Sequence, residues 1–134
     1  MMQASMQDAH VATILFTDIE GSTRLWEQKP QLMSRALKHH DAISRAAVES
    51  NHGVIVKMTG DGMYAAFSDP VDALNATLAL QEALVDPAST EGLALLVRCG
   101  LHLGPVERRD NDFFGPPVNR SARIMSAAHG GQIL

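Results

Sequence analysis

The chain has 134 residues, of which 46% are hydrophobic and 19% charged, and its formal charge at pH 7 is −4. These values describe one globular domain with a core, exclude a disordered chain, and argue against nucleic acid as a partner. No apolar run approaches the ~20 residues that span a bilayer, and residues 1–10 lack the pattern of a signal peptide, so we expect a cytoplasmic protein without a membrane segment.

The first half of the chain predicts a strand followed by helices. Residues 1–10 are expected to form a flexible leader, and the continuous apolar run Val11–Phe16 predicts a buried strand. Residues 21–23 break this run and precede a short helical turn. Pro30 then begins a long amphipathic helix. Gly53 is available for a left-handed cap at the end of that helix.

A hairpin and a second long helix follow. Val54–Met58 and Met63–Phe67 predict two strands, and the turn between them carries Asp61. Pro70 starts a helix. Its predicted core-facing stripe consists of Val71, Leu74, Leu78 and Val85.

The last third contains another strand, an ambiguous polar segment and a final helix. Leu93–Leu103 predicts a long buried strand that includes Cys99, the only cysteine, which we interpret as a core residue. The polar segment Val106–Asp112 fits either a hairpin arm or a loop. Prolines 116 and 117 open the last helix, and residues 132–134 predict the start of another strand.

The element order is β-α-β-β-α-β-(β)-α-β. It predicts an α+β fold, a ferredoxin-like βαββαβ sandwich with an antiparallel-containing sheet and helices packed on one of its faces.

Two aspartates, Asp18 and Asp61, each lie at a predicted strand end beside glycine. In this element order the first strand can lie beside the hairpin and bring the two carboxylates together. Adjacent carboxylates repel unless a cation lies between them, and a pair of Mg²⁺ or Mn²⁺ ions is one solution. The alternative is that Asp61 only forms a turn and Asp18 only caps the next one.

Lys57 lies within the second predicted strand. A period of two places it on a face with Ile55 and Thr59, away from Val54 and Val56. Its ammonium either extends to the surface or donates to a base or a phosphate.

Asn119 and Arg123 are four residues apart on the last helix and therefore share a face. They form either a simple polar helix surface or a site for a ribose and a phosphate. The histidines lack metal-ligand spacing, and we expect none of them to bind a metal.

Taken in order, the motifs resemble those of the catalytic domain of class III nucleotide cyclases, the adenylyl and guanylyl cyclases. The resemblance extends from about Ala12 to Leu134. Four motifs carry it: Phe-Thr-Asp-Ile-x-Gly-Ser-Thr (16–23), Lys-x-x-Gly-Asp-Gly (57–62), Asp-x-x-Gly-x-x-Val-Asn (112–119) and Asn-x-x-x-Arg (119–123).

The resemblance implies two Mg²⁺ or Mn²⁺ ions per site. Asp18 and Asp61 would hold them, together with the carbonyl of Ile19. One ion would polarise the ribose 3′-hydroxyl for in-line attack on the α-phosphorus, and the other would hold the triphosphate. Backbone N–H groups of Glu20, Gly21, Ser22 and Thr23 would help to bind the triphosphate.

The resemblance also implies how the rest of the nucleotide is bound. Lys57 and Asp112 match the pair that selects adenine, which favours ATP over GTP. Asn119 would orient the ribose, and Arg123 would stabilise negative charge that develops during phosphoryl transfer. Adenylyl cyclase activity, giving 3′,5′-cyclic AMP and pyrophosphate, is therefore expected.

Assembly follows from the same resemblance. In this family the site forms between two protomers, one giving the metal aspartates and the other giving the base, ribose and phosphate contacts. A chain with both sets should form a symmetric homodimer. The family domain continues beyond the position of Leu134, so we expect residues 11–134 to be a cyclase domain that lacks its C-terminal strands.

Two alternatives remain open. A guanylyl cyclase would prefer GTP, against the identities of Lys57 and Asp112. A catalytically silent cyclase-like module would bind nucleotide in order to sense it or to regulate a partner.

Overall fold

The computed structural model describes residues 10–110 and 112–134, in which five strands form one sheet that four α-helices accompany. Their bounds are β1 His10–Ile19, α1 Ser22–Gln28, α2 Pro30–Ser50, β2 Val54–Met58, β3 Gly62–Phe67, α3 Pro70–Val85, β4 Val97–Arg109, β5 Asp112–Phe114 and α4 Pro116–Ala127, with a short 3₁₀ turn at Pro87–Thr90. The predicted leader lies outside the described residues, except for His10, which begins β1.

The sheet has the strand order β2-β3-β1-β4-β5, and all of these neighbours are antiparallel. β1 is central and pairs with β3 on one side and with β4 on the other. This arrangement confirms the predicted ferredoxin-like fold. None of the helices within the described residues has the length and hydrophobicity that a membrane crossing requires.

Helices pack on both faces of the sheet, so the prediction of helices on one face is wrong. α2 and α3 cover one face and enclose the main core, which includes Leu15, Met63 and Leu80. α4 lies on the opposite face, where its backbone approaches Gly100 so closely that a Cβ atom would lie 2.3 Å from the nitrogen of Met125. Glycine in β4 therefore makes room for a helix on the second face.

The core-facing stripe of α3 also differs from the prediction. The buried positions of this helix are Ala73, Ala76, Thr77, Leu80 and Leu84. The predicted residues Val71, Leu74, Leu78 and Val85 are exposed instead. Since α3 is apolar on nearly every side, its sequence contains two apolar stripes, and the one with small alanines lets the helix approach the sheet.

The end of α2 uses its glycine differently from the prediction. His52 adopts the left-handed conformation, with φ of 64°, and Gly53 does not. A Cβ atom on Gly53 would lie 2.4 Å from the Phe67 ring, so this glycine is required by close packing against β3.

β4 begins and ends later than predicted, at Val97 and Arg109. Its last residues pair with β5, so the polar segment is a hairpin arm and not a loop. Cys99 in β4 is fully buried, as predicted, and burial raises the pKa of its thiol to about 12. Ile133 bridges in parallel to Cys99, which agrees with the strand start predicted at residues 132–134.

Candidate active site

Asp18 and Asp61 lie at the same end of the sheet because the β2–β3 hairpin closes tightly on β1. Gly62 is directly opposite Asp18 in the β1–β3 ladder. A Cβ atom on Gly62 would lie 2.0 Å from the carbonyl oxygen of Thr17, so only glycine permits this approach. The backbone N–H of Ile19 then donates to the carbonyl of Asp61 at 2.8 Å. These contacts hold the tip of the hairpin beside the end of β1.

The two carboxylates have different partners. The hydroxyl of Ser22 donates to Asp61 Oδ2 at 2.8 Å. The guanidinium of Arg98 donates to Asp18 Oδ2. Burial is the largest influence on Asp18 and raises the pKa of its carboxyl; Arg98 opposes this shift, and the negative charge of Asp61 adds to it. The net pKa of Asp18 is raised, as expected for a carboxylate that is partly desolvated beside a second one.

Arg98 is a residue of this site that the sequence interpretation missed. It lies directly opposite Asp18 in the β1–β4 ladder. The available signal was a single cation between Val97 and Cys99, within the otherwise apolar stretch 93–101. A cation at such a position needs an anionic partner, but the pairing register that identifies the partner comes from the structure.

The carboxylate pair fits a divalent metal that takes most of its ligands from elsewhere. Among the described residues there is no group of three or more His, Cys, Asp or Glu side chains that could enclose an ion. Two adjacent carboxylates and nearby backbone carbonyls leave several coordination positions open. Mg²⁺ commonly binds in this way, with one or two carboxylates, water and phosphate oxygens.

The expected contribution of Glu20 is not supported by the structure. Its N–H donates to the carbonyl of Leu96 at 2.8 Å, and its carboxylate accepts from the N–H of Gly130 at 2.9 Å. Glu20 therefore joins the end of β1 to the residue that precedes β4 and to the turn after α4. The N–H groups next in line, at residues 21–23, lie at the start of α1, where Gly21 adopts the left-handed conformation with φ of 69°.

Lys57 lies on the other side of β2 from the one predicted. The ladder pairs Ile55 with Ala65 but Lys57 with Tyr64, which leaves Val56 as an extra residue in a bulge. Since directly opposed residues share a face, Lys57 shares a face with Tyr64 and not with Ile55. Tyr64 belongs to the cluster beneath α4 and β5, and Lys57 is exposed beside it.

Asp112 approaches the same tyrosine from the β4–β5 arm. Its carboxylate accepts from the N–H of Phe113 at 2.8 Å, and the Tyr64 hydroxyl donates to the carbonyl of Phe113 at 3.3 Å. Burial first, and then the negative charge of Asp112, raise the pKa of Tyr64 to about 12. The structure thus brings Lys57 and Asp112 to the same neighbour from two distant segments.

Asn119 and Arg123 are exposed on one side of α4. The opposite side is anchored to the sheet, where Ser121 donates to the carbonyl of Ile14 at 3.0 Å and Pro117 is buried. The predicted common face is therefore correct. Asp18 follows Ile14 and Phe16 at intervals of two residues along β1, so all three side chains share a face of the sheet, which α4 covers in part.

The chain as a whole matches a known family. The profile of the adenylate and guanylate cyclase catalytic domain matches residues 4–134. The chain therefore belongs to this family.

Similar proteins include both uncharacterised proteins and proteins named adenylate cyclase. An uncharacterised Mycobacterium tuberculosis protein is 37% identical over 124 residues, which are 91% of this chain and 41% of that protein. The adenylate cyclase of Lachancea kluyveri is 37% identical over 145 residues, covering 90% of this chain and 8% of the enzyme. The chain thus spans less than half of these relatives.

Solved structures agree on the fold. An adenylate/guanylate cyclase/hydrolase from Silicibacter pomeroyi is 29% identical and superimposes with a TM-score of 0.79, over 94% of this chain and 75% of that one. A Trypanosoma brucei adenylate cyclase in its monomeric state is 26% identical, with a TM-score of 0.81 over 92% and 71%.

Proposed function

We propose that this chain is an adenylyl cyclase domain that converts ATP to 3′,5′-cyclic AMP and pyrophosphate. The observation that carries the proposal is the adjacency of the Asp18 and Asp61 carboxylates at one end of the sheet. Fungal relatives named adenylate cyclase, at 34–37% identity, support the reaction class.

The reaction is a transfer within one nucleotide. The ribose 3′-oxygen loses its proton to water and bonds to the α-phosphorus, while the bond from that phosphorus to the bridging oxygen breaks and pyrophosphate leaves. Two Mg²⁺ or Mn²⁺ ions, held by Asp18, Asp61 and the Ile19 carbonyl, would supply charge neutralisation and would lower the pKa of the hydroxyl. Ser22 orients the Asp61 carboxylate by donating a hydrogen bond to it, and the N–H groups of residues 21–23 would bind the phosphates.

Adenine recognition is assigned to Lys57 and Asp112. An exposed ammonium beside Tyr64 can donate to a ring nitrogen, and a carboxylate near the same tyrosine can accept from the 6-amino group. Guanine carries a carbonyl oxygen at that position, so Asp112 would oppose it with an unfavourable acceptor–acceptor contact. This chemistry favours ATP.

The two polar residues on α4 act on the sugar and the reacting phosphate. The Asn119 amide would orient the ribose by accepting and donating hydrogen bonds. The Arg123 guanidinium, one helical turn away, would stabilise the negative charge that develops on the phosphate oxygens in the transition state.

We infer a homodimer with two sites, and the positions of these groups support it. Asp18 and Lys57 belong to the same face of the sheet, and α4 lies on that face. Val54 and Phe114, close in sequence to Lys57 and Asp112, are large apolar residues left exposed. Two copies that meet through this face would place the aspartates of one against the base and ribose residues of the other.

Product analysis tests the proposal. Incubation with ATP and Mn²⁺ is expected to give cyclic AMP, with less product from GTP. Asp18→Ala and Asp61→Ala are expected to abolish it, whereas Glu82→Ala, which removes an exposed carboxylate from α3, leaves it unchanged. Preference for GTP would favour a guanylyl cyclase. Tight ATP binding in calorimetry without turnover would favour the silent module.

A further inference from the structure

Arg98 has a position that the proposed reaction does not explain by itself. Its guanidinium pairs with the carboxylate of Asp18, one of the two acids assigned to the metal ions. The two side chains are 28% and 21% exposed, so the pair is largely shielded from solvent. A charged hydrogen bond in such surroundings is stronger than a surface ion pair.

The pair is also incompletely anchored. The Nε atom of Arg98 is buried and has no hydrogen-bond partner among the described residues. The Nη2 atom alone makes the hydrogen bond to Asp18. The guanidinium is therefore held mainly by the charge of Asp18. If another cation binds Asp18, the N–H groups of Arg98 are free to donate to a different acceptor.

We propose that Arg98 stands in for the metal in the metal-free protein and must leave Asp18 when a divalent cation binds there. This inference rests on the proposed function of Asp18. Asp18 and Asp61 together carry two negative charges, and Arg98 neutralises one of them. A divalent cation on the same carboxylates leaves Arg98 beside excess positive charge, so the guanidinium turns away toward an anion.

A consequence is that metal and polyphosphate bind cooperatively. A free divalent ion has to break the Arg98–Asp18 pair without providing a new anionic partner for the guanidinium. A metal ion that arrives on a polyphosphate provides that partner. The free ion is therefore expected to bind weakly, and the metal–polyphosphate complex is expected to bind as a unit.

Mn²⁺ binding to the whole chain without nucleotide tests the exchange, with free Mn²⁺ measured by electron paramagnetic resonance. Arg98→Met is expected to tighten Mn²⁺ binding by about tenfold or more, since the competing charged hydrogen bond is removed. The matched control is Arg24→Met, which removes the same charge from an exposed position on α1 near the site. That variant is expected to change binding by no more than about twofold.

Three results separate the possibilities. Unchanged or weaker Mn²⁺ binding by Arg98→Met overturns the exchange, while wild-type binding still supports the metal assignment. Equal tightening by Arg98→Met and Arg24→Met also overturns it, because the effect then comes from the loss of one positive charge near the site and not from the Arg98–Asp18 pair. If neither the wild type nor Arg98→Met binds Mn²⁺, the metal site of the proposed function fails, and the exchange fails with it.

A measurement on the unmodified chain covers the case in which Arg98→Met does not fold. The side-chain Nε–H signal of Arg98, assigned by its absence in Arg98→Lys, is followed by NMR during a titration with diamagnetic Mg²⁺. The exchange predicts a large shift or loss of this signal at the concentrations that saturate the site. A signal that stays unchanged at saturation contradicts it.

Discussion

Lys57 lies directly opposite Tyr64, because the bulge at Val56 shifts the β2–β3 register by one residue. Without the bulge Lys57 would point toward the main core with Ile55. The single extra residue turns its ammonium to the face that carries Asp18 and α4. A β-bulge next to a functional site commonly redirects one side chain in this way.

Removal of the Lys57 ammonium is expected to weaken nucleotide selection. Lys57→Met should lower kcat/KM for ATP by about tenfold or more, the effect of losing a hydrogen bond from a charged donor. The change for GTP should be smaller, so the ratio of the two kcat/KM values decreases. Lys38→Met, on α2, is the matched control and should keep the wild-type ratio. An unchanged ratio in Lys57→Met would remove Lys57 from base recognition.

Replacement of Gly62 is expected to destabilise the protein more than replacement of Gly60, the other glycine of the hairpin turn. Gly62→Ala places a methyl group 2.0 Å from the Thr17 carbonyl oxygen and should cost about 3 kcal/mol or more in the free energy of unfolding. Gly60→Ala has no neighbouring atom within 4 Å but has φ of 92°, and should cost about 1–2 kcal/mol. Urea denaturation measures both values. A Gly62→Ala cost no greater than that of Gly60→Ala would contradict a role for the close approach to Thr17.

The metal-free protein is expected to be stabilised at neutral pH by Asp18→Asn. The folded pKa of Asp18 is raised above its ordinary value of 3.8, so the folded chain keeps a proton that the unfolded chain has released. Stability from the protonated form is therefore lost as the pH rises above 3.8 through the folded pKa. Asparagine mimics the protonated form and keeps an oxygen that can accept from Arg98, and its advantage should disappear as the pH falls to 3.8 and below.

Thermal unfolding in the presence of a chelator measures this difference across pH. Asp86→Asn, at an exposed cap position, is the control and should show no such dependence. Added Mn²⁺ should stabilise the wild type and not Asp18→Asn. A variant that is less stable than the wild type at neutral pH under metal-free conditions would contradict the assigned pKa direction.

The two apolar stripes of α3 are expected to contribute very differently to the free energy of unfolding. Leu80→Ala removes a fully buried side chain and should cost about 2–5 kcal/mol. Leu78→Ala removes one that is 44% exposed and should cost less than about 1 kcal/mol. Chemical denaturation compares them directly. A larger loss of unfolding free energy for Leu78→Ala than for Leu80→Ala would mean that the stripe predicted from the sequence faces the core.

Much of the fold was predictable because local signals agreed. Prolines at the starts of α2, α3 and α4, the Asp69 cap and the glycine-rich hairpin all specify element boundaries. The order of these elements predicts β1 beside the hairpin, and so the proximity of Asp18 and Asp61. The element boundaries depend on residues near each other in sequence, and the proximity of the two aspartates depends on general rules of topology.

The remaining features depend on packing between distant segments. The bulge that turns Lys57, the choice between two stripes on α3 and the placement of α4 on the second face have no unambiguous local signal. Arg98 was missed because its partner, Asp18, is 80 residues away and only the β1–β4 register brings them together. Sequence thus predicted the acids of the site but not the cation that pairs with one of them.

The most direct test of the central claim is complementation between two inactive variants. Asp18→Ala breaks the metal half of the site, and Arg123→Ala breaks the other half. If each site takes one half from each copy, a random mixture of the two proteins contains heterodimers with one intact site, and cyclic AMP production should recover to about one quarter of the wild-type rate. A mixture as inactive as either variant alone, beside an active wild type, would contradict a site shared between two chains.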